Sequence, residues 1–447
     1  MATSVLCFRN DFRLLDNPAL RAAVDAGPDG VVPMFVLDEH YWGPGGRTRL
    51  AYLMRALAHL DERIGLTIVK GKPWEVIPRV ARSVGATSVH VAADYTPYEA
   101  ERDQRIERAL AEDDVELVRT GSAYAVAPGR ITKADGSPYR VFTPFYRAWL
   151  EHGWRDPAPG ARDVPWIRAD VETTALPEVD PPEGLELPPV GEEAARRRWR
   201  EWLDHVDEYD DVRDLPGEDL TSRMSVHLKW GHVHPRTLLA DLAERSSKGA
   251  EAYGRELAFR EFYADVVHHR PDTIEGYYDK RFERMEYDHP GGDLQLWKDG
   301  RTGFPIVDAG MRQLAATGWM HNRVRMIVAS FLVKDLHLEW TVGAKHFMDL
   351  LVDGDPCSNQ HGWQWVAGCG TDAAPYFRIF NPVTQGKKFD PDGRYVRRWV
   401  PELRGVEGKA VHEPWTLSRP PEEYPAPMLD HAAERKESLR RYEALRS

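Results

Sequence analysis

The chain opens with short apolar, β-branched runs separated by longer stretches of helical periodicity. The runs are SVLCF at 4–8, VVPMFVL at 31–37, LTIVK at 66–70, SVHVAA at 88–93 and VELVR at 115–119. Runs of this kind suit strands buried on both faces of a parallel sheet. Between them, residues 48–63, 74–84 and 98–112 carry apolar positions at helical spacing, the last behind the turn signal of Pro97. Strand and helix alternating in this way predict a doubly wound parallel sheet, an α/β domain over residues 1–128. No GxGxxG follows the first run; RNDFRLLDN stands there instead. A nucleotide held in the usual dinucleotide manner is therefore not expected in this half.

The pattern changes at residue 129. Residues 129–190 read as an interdomain linker, and their later part, 155–190, is dense in Pro, Gly and acidic residues. Proline stiffens such a segment, which predicts a strap over the surface rather than a disordered tail. A helical domain is predicted over 191–447, and to about 415 the period is helical: EEAARRRWREWLDHVDEY, REFYADVVHH, VDAGMRQLAATG, NRVRMIVASFLVKDL and AKHFMDLLVDG follow one another, with Gly or Pro at their ends. The C-terminal stretch, from VHEPW onward, reads as a Pro-rich strap ending in a short charged helix. The whole predicts an α/β domain joined by a long linker to an all-helical domain.

Composition narrows the function classes. No stretch reaches the roughly 18–20 apolar residues a membrane span requires, and the first residues resemble neither a secretory signal nor a transit peptide. A cytoplasmic protein, associated with the nucleoid when bound to DNA, is the expectation. Cys7, Cys357 and Cys369 are too few for a disulfide framework and fit no zinc spacing. The 59 basic and 71 acidic residues leave a net charge of −12, which argues against a nonspecific nucleic-acid binder. A groove lined with Arg can still sit on an acidic body. The 15 tryptophans include WQW at 363–365, and indoles clustered among Arg and Asp serve stacking or redox roles as readily as packing.

Two stretches concentrate candidate chemistry. In WMHNRVRMIVASFLVKDLHLEW, Asn322 and Arg325 lie three apart on one helix face, with Asp353 and Asp355 following in a DGD turn. An ordinary helix-to-loop ion pair explains that set, and so does a polar ring system with its ribityl and pyrophosphate groups. TSRMS at 221–225 offers hydroxyls and N–H groups that suit either an N-cap or a phosphate. The second stretch, 359–382, mixes Asn359, Trp363, Trp365 and Arg378 with glycines. Such aromatic platforms hold flipped bases or sugars, but a glycosidase also needs two carboxylates facing across a cleft. Nothing in the spacing supplies them.

The run TGFPIVDAGMRQLAATGWMHNRVRMIVASFLVKDL…W…FMDLLVDGD…N…GWQW…TDAAPYFRIFNP resembles the FAD-binding core of the photolyase/cryptochrome family. The resemblance runs back through GRELAFREFY, TSRMS and YDDVRDLP to FRNDFRLLDNPAL, and it is nearest to bacterial class I enzymes acting on cyclobutane pyrimidine dimers. It implies FAD as cofactor, with Tyr209, Thr221, Ser222, Met224, Ser225, Tyr253 and Arg260 cradling it and Asn322, Arg325, Asp353 and Asp355 around its rings. Asn359 falls where the family faces flavin N5; Asn there goes with repair, Asp or Cys with signalling. Met326, Glu256 and Trp365 resemble the residues that meet the lesion, and Arg213, Arg323 and Arg378 the phosphate contacts. Phe259 stands where the family often has a lesion-stacking Trp, and weaker lesion binding follows from its smaller face. Trp363 and Trp340 match the first stations of the relay that photoreduces the flavin. Tyr287 takes the third place, in a charged, Gly-rich stretch that predicts a surface location.

Light-driven repair of ultraviolet-damaged DNA bearing a flipped dimer is the implied activity, by a monomer, with an electron passing from reduced FAD to the lesion and back. A cryptochrome-like photoreceptor is the alternative, and it would want a longer C-terminal extension. A non-catalytic DNA- or sugar-binding module would require the flavin motifs to be accidental. The resemblance also implies an antenna. DYTPYEAERD favours 8-hydroxy-5-deazaflavin over methenyltetrahydrofolate.

Overall fold

The five β-branched runs form one parallel sheet. A computed structural model describes residues 2–41, 46–161, 163–372 and 377–445. Strands β1 (Thr3–Cys7), β2 (Gly30–Leu37), β3 (Thr67–Lys70), β4 (Ser88–Ala93) and β5 (Glu116–Ser122) lie in the order β3-β2-β1-β4-β5. Every neighbouring pair is parallel, with Val5 opposite both Val32 and Val89. Helices α1 (Pro18–Ala26), α2 (Arg47–Ile64), α3 (Pro73–Ser83) and α4 (Pro97–Ala111) make the crossovers. The sequence pattern marks α2, α3 and α4 but passes over α1, whose start is set by the Asn17 side chain accepting from the Leu20 N–H and by Pro18 in the first turn.

The chain packs as two compact units. The first comprises 1–182, 187–204 and 222–271; the second comprises 183–186, 205–221 and 272–447. In the first, RNDFRLLDN is a docking loop. Arg13 Nη1 donates to the Gly231 carbonyl at 3.1 Å, Arg236 Nη2 reaches Asp16 at 2.6 Å, and Phe12 N–H bonds to Trp230 O. Gly231, at φ +61°, permits this approach, since a Cβ there would sit 2.0 Å from the Asn10 carbonyl. The stretch 129–190 is mixed. A helix, Phe142–His152, precedes the Pro-rich strap. The strap then covers the β3 side of the sheet through Ile167 N–H to Val31 O and Thr174 N–H to Ile68 O, which blunts an otherwise open edge.

The second unit is all-helical around fully buried Trp297, Phe331, Trp340 and Phe347. Its principal helices for function are Asn322–Lys334, Trp340–Leu350 and Pro356–Ala367. The C-terminal strap is fastened where Tyr424 OH donates to Asp308 and Met428 N–H bonds to Thr302 O; the charged helix is His431–Ala444. Among the described residues no helix is long and apolar enough to cross a membrane. Nor does any group of three His, Cys, Asp or Glu among them make a metal site.

Candidate functional site

The residues singled out by sequence divide between the two units. In the first, Arg223 takes a left-handed conformation (φ +56°) that turns the chain into the short helix Met224–Lys229. Ser222 sits just before that turn, its Oγ 2.8 Å from the Tyr253 hydroxyl and accepting from the Met224 N–H. Burial raises the Tyr253 phenol above its ordinary pKa, and Trp199 and Trp202 wall its ring at 5.3 and 4.6 Å. Met224 is buried and Ser225 exposed. Tyr253, Glu256 and Arg260 follow at three and four residues along the helix Lys248–His269, so they share a face. Arg260 is already engaged: Nη1 donates to the Ala123 carbonyl at 2.8 Å and its guanidinium covers the Tyr124 ring. Phe259 is stacked on Phe142 at 3.4 Å, one face occupied.

In the second unit the charged set gathers at the starts of two helices. Arg325 Nη2 meets both oxygens of Asp353, at 2.9 and 3.2 Å, and Nε donates to the Met320 carbonyl. Asp353 is buried, whereas Arg325 keeps a quarter of its side chain exposed, with Nη1 unclaimed by any described residue. Asn322 is exposed in the first turn of the same helix. Asp355 caps the helix Pro356–Ala367 by accepting from the Ser358 N–H at 2.8 Å. One turn on, Asn359 Nδ2 donates to Ala344 O at 3.1 Å and to Gln360 Oε1 at 3.0 Å. Those bonds fix the amide and leave its Oδ1 as an acceptor that no described residue fills.

Tyr209 is buried under the Arg213 guanidinium, and Thr221 lies at intermediate exposure. Arg323 forms a two-pronged pair with Asp214 (2.6 and 3.2 Å) and covers the Phe389 ring, so its charge is partly spent. Its Nη1 also approaches the Met326 sulfur at 3.9 Å. Trp365 and Arg378 line one cavity with Lys334 and Phe377. Sequence reasoning missed Lys334, which looks like an ordinary cation in a last helical turn. Its amine bonds to the Arg378 carbonyl, and burial lowers its pKa to about 7. His321 caps the Asn322–Lys334 helix through Nδ1, and burial pushes it down to about 4, a neutral ring.

The relay candidates differ from expectation at their outer end. Trp363 and Trp340 are buried. Trp363 lies against Gly343, one turn beyond Trp340, where a Cβ would come within 2.1 Å of its ring. Tyr287, expected at the surface, has a half-buried ring and an enclosed hydroxyl that lies beside the Tyr277 hydroxyl, and burial raises its phenol above the ordinary pKa. Trp297 is fully buried, its indole N–H donated to Val328 O.

Residues 4–163 match the family model "DNA photolyase", and residues 253–444 match "FAD binding domain of DNA photolyase". The chain is 45% identical to the deoxyribodipyrimidine photo-lyase of Streptomyces griseus, over 97% of this chain and 98% of that protein. A class III photolyase structure from Agrobacterium tumefaciens superposes with a TM-score of 0.89 at 34% identity, covering 100% of this chain and 98% of that one. A Synechocystis cryptochrome gives 0.88 at 27% identity, over 98% of each chain. With its parallel sheet, its helical flavin-binding region and relatives matched end to end, the chain belongs to the DNA photolyase family.

Proposed function

We propose that this protein opens cyclobutane pyrimidine dimers in DNA with light and FAD, as a photolyase-type repair enzyme nearest to class I. The observation that carries the reading is the Asn359 amide, immobilised by two donated hydrogen bonds, with a carbonyl oxygen that accepts from no described residue. That donor set fits a flavin: a ring N–H needs a fixed acceptor, and the spare Nη1 of Arg325 suits negative charge beside it. Bound and reduced, FAD supplies the excited electron that the dimer borrows and returns.

The chain's own residues do the remainder. Asp353 orients Arg325, and Asn322 and Asp355 offer further polar contacts to the cofactor. Ser222, Tyr253 and the Met224 turn, with Tyr209, Thr221 and Ser225, offer hydroxyls and N–H groups to its phosphates and ribityl chain. Arg260, on the same helix face as Tyr253 and tied to Ala123 through Nη1, is a further contact for the cofactor. Glu256 accepts hydrogen bonds from the damaged bases; Met326 and Trp365 give the flipped dimer apolar surface and exclude water. Arg378, Arg323 and Arg213 supply positive charge to phosphates, and Phe259 presents its remaining face to the lesion. Electrons reach the flavin through Trp340 and Trp363. The enzyme works as a cytoplasmic monomer, with 8-hydroxy-5-deazaflavin favoured over methenyltetrahydrofolate as antenna. Denaturing the purified protein and chromatographing what it releases tests the reading. One FAD per chain is expected, with any second chromophore identified in the same run; a preparation that neither carries nor takes up FAD overturns it.

A further inference from the structure

Tyr277 has the surroundings that a terminal phenol donor requires. Its ring meets Trp340 edge to face at 5.9 Å (86° between planes). Its hydroxyl donates to Glu339 Oε1 at 2.7 Å, and Glu339 immediately precedes Trp340 at the start of the helix Trp340–Leu350. Trp340 is fully buried, and its Nε1 has no hydrogen-bond partner among the described residues. An oxidised Trp340 therefore has no nearby base to take its indole proton. It stays a cation radical, a stronger one-electron oxidant than the neutral form. Beside it stands a phenol already bonded to a carboxylate. Loss of an electron makes that phenol strongly acidic, and the proton has a short path to travel.

The neighbouring aromatics lack one requirement or another. The Tyr287 hydroxyl is enclosed beside the Tyr277 hydroxyl and bonds no carboxylate among the described residues, so its oxidation offers the proton no comparable base. Trp297 gives its N–H to a backbone carbonyl, which is no base, inside the core. Glu339 is only half-buried, so a proton it receives has a route to solvent.

We infer that Tyr277, with Glu339 as its proton acceptor, ends the electron relay in this chain. The step balances. One electron passes from Tyr277 to the Trp340 cation radical, and the phenolic proton passes to Glu339 Oε1. Trp340 returns to its neutral closed-shell form, leaving a neutral tyrosyl radical and a neutral carboxylic acid. The light-excited oxidised flavin is the oxidant that first empties Trp340, through Trp363. Return of the electron then demands return of the proton, which prolongs charge separation. This inference rests on the proposed flavin site.

Flash photolysis of the FAD-loaded, oxidised protein tests it, with electron paramagnetic resonance on freeze-trapped samples. Wild type should give a tyrosyl radical whose formation from the Trp340 cation radical slows in D2O. Tyr277→Phe should lose that signal, and Glu339→Gln should form it more slowly with the solvent isotope effect gone. Tyr287→Phe should retain both. Flavin content and melting temperature verify that each variant is folded, and Glu339→Gln carries the test if Tyr277→Phe is not. A tyrosyl signal that survives Tyr277→Phe, or disappears only in Tyr287→Phe, overturns the inference. Failure of chemically reduced wild type to repair dimers would instead overturn the proposed function, because repair by pre-reduced enzyme does not pass through Tyr277.

Discussion

Two clusters of buried charge, one at the sheet and one among the helices, resemble each other in composition and differ in what they leave over. At the carboxyl edge of the sheet, beside the β1/β4 switch point, Arg9 forms paired bonds to Asp103 (2.6 and 3.0 Å), reaches Asp94 at 3.4 Å and donates to the Ala92 carbonyl. Arg102 closes the set on Asp94 and Asp103. Both guanidinium groups are spent on neighbours and over nine-tenths enclosed. On the helices Asn322–Lys334 and Pro356–Ala367 the groups are anchored with capacity to spare: Arg325 is held by Met320 and Asp353 and Asn359 by Ala344 and Gln360, while Nη1 of the one and Oδ1 of the other are taken by no described residue. A closed network stabilises a fold; an anchored but unfinished one is built to receive something. That distinction separates a structural ion cluster from a binding site even though both contain Arg and Asp.

The comparison can be broken from either side. Removing one partner of a closed, buried ion pair leaves uncompensated charge, typically about 3–5 kcal/mol. Arg9→Met should therefore lower denaturation midpoints severely, while folded molecules keep their FAD. If the variant melts like wild type, the sheet network is not structural. At the open site the order reverses. Arg325→Lys keeps a charge for Asp353 but loses the planar fork. It should change melting little and weaken FAD binding roughly tenfold, about 1.4 kcal/mol, as expected for a lost charge-assisted bond. Titration of apoprotein with FAD checks this, and unaltered affinity would remove Arg325 from the cofactor's contacts.

Asn359→Ala is a smaller perturbation, with about 1 kcal/mol expected for one neutral hydrogen bond. FAD should stay bound while repair per absorbed photon falls; unchanged yield would mean the free Oδ1 serves no purpose in the reaction. Smallest is Arg378→Ala. It should reduce the slope of log K against log salt by about 0.9, one phosphate's worth on duplex DNA. An unaltered slope would take Arg378 off the DNA.

How much of this was legible beforehand depends on the range of the contacts involved. The five strands are local facts, since β-branched runs announce themselves within a few residues. Helix α1 escaped notice because only nine residues and an Asn-Pro start mark it. The closed or open state of a charged residue is not local at all. Arg9 meets Asp103 across 94 positions, and nothing near Arg9 in sequence distinguishes it from Arg325. The site residues were named through their motif, and the structure adds which of them are spent: Arg260 on Ala123, Arg323 on Asp214, Phe259 on Phe142. Tyr277 was invisible in sequence because its acceptor, Glu339, lies 62 residues away. Tyr287 occupied the family's position for a relay member, yet motif position does not say whether a hydroxyl has somewhere to send its proton.

On the function proposed above, the unfinished polar site holds a flavin that splits pyrimidine dimers with light. An oligonucleotide carrying a single thymine cyclobutane dimer, mixed with chemically reduced, FAD-loaded enzyme, tests it most directly. Under blue or near-ultraviolet light the two thymines should be restored over many turnovers, with no net consumption of reductant and no repair in matched dark samples. Dimers that persist under light, or that vanish equally in the dark, would contradict it.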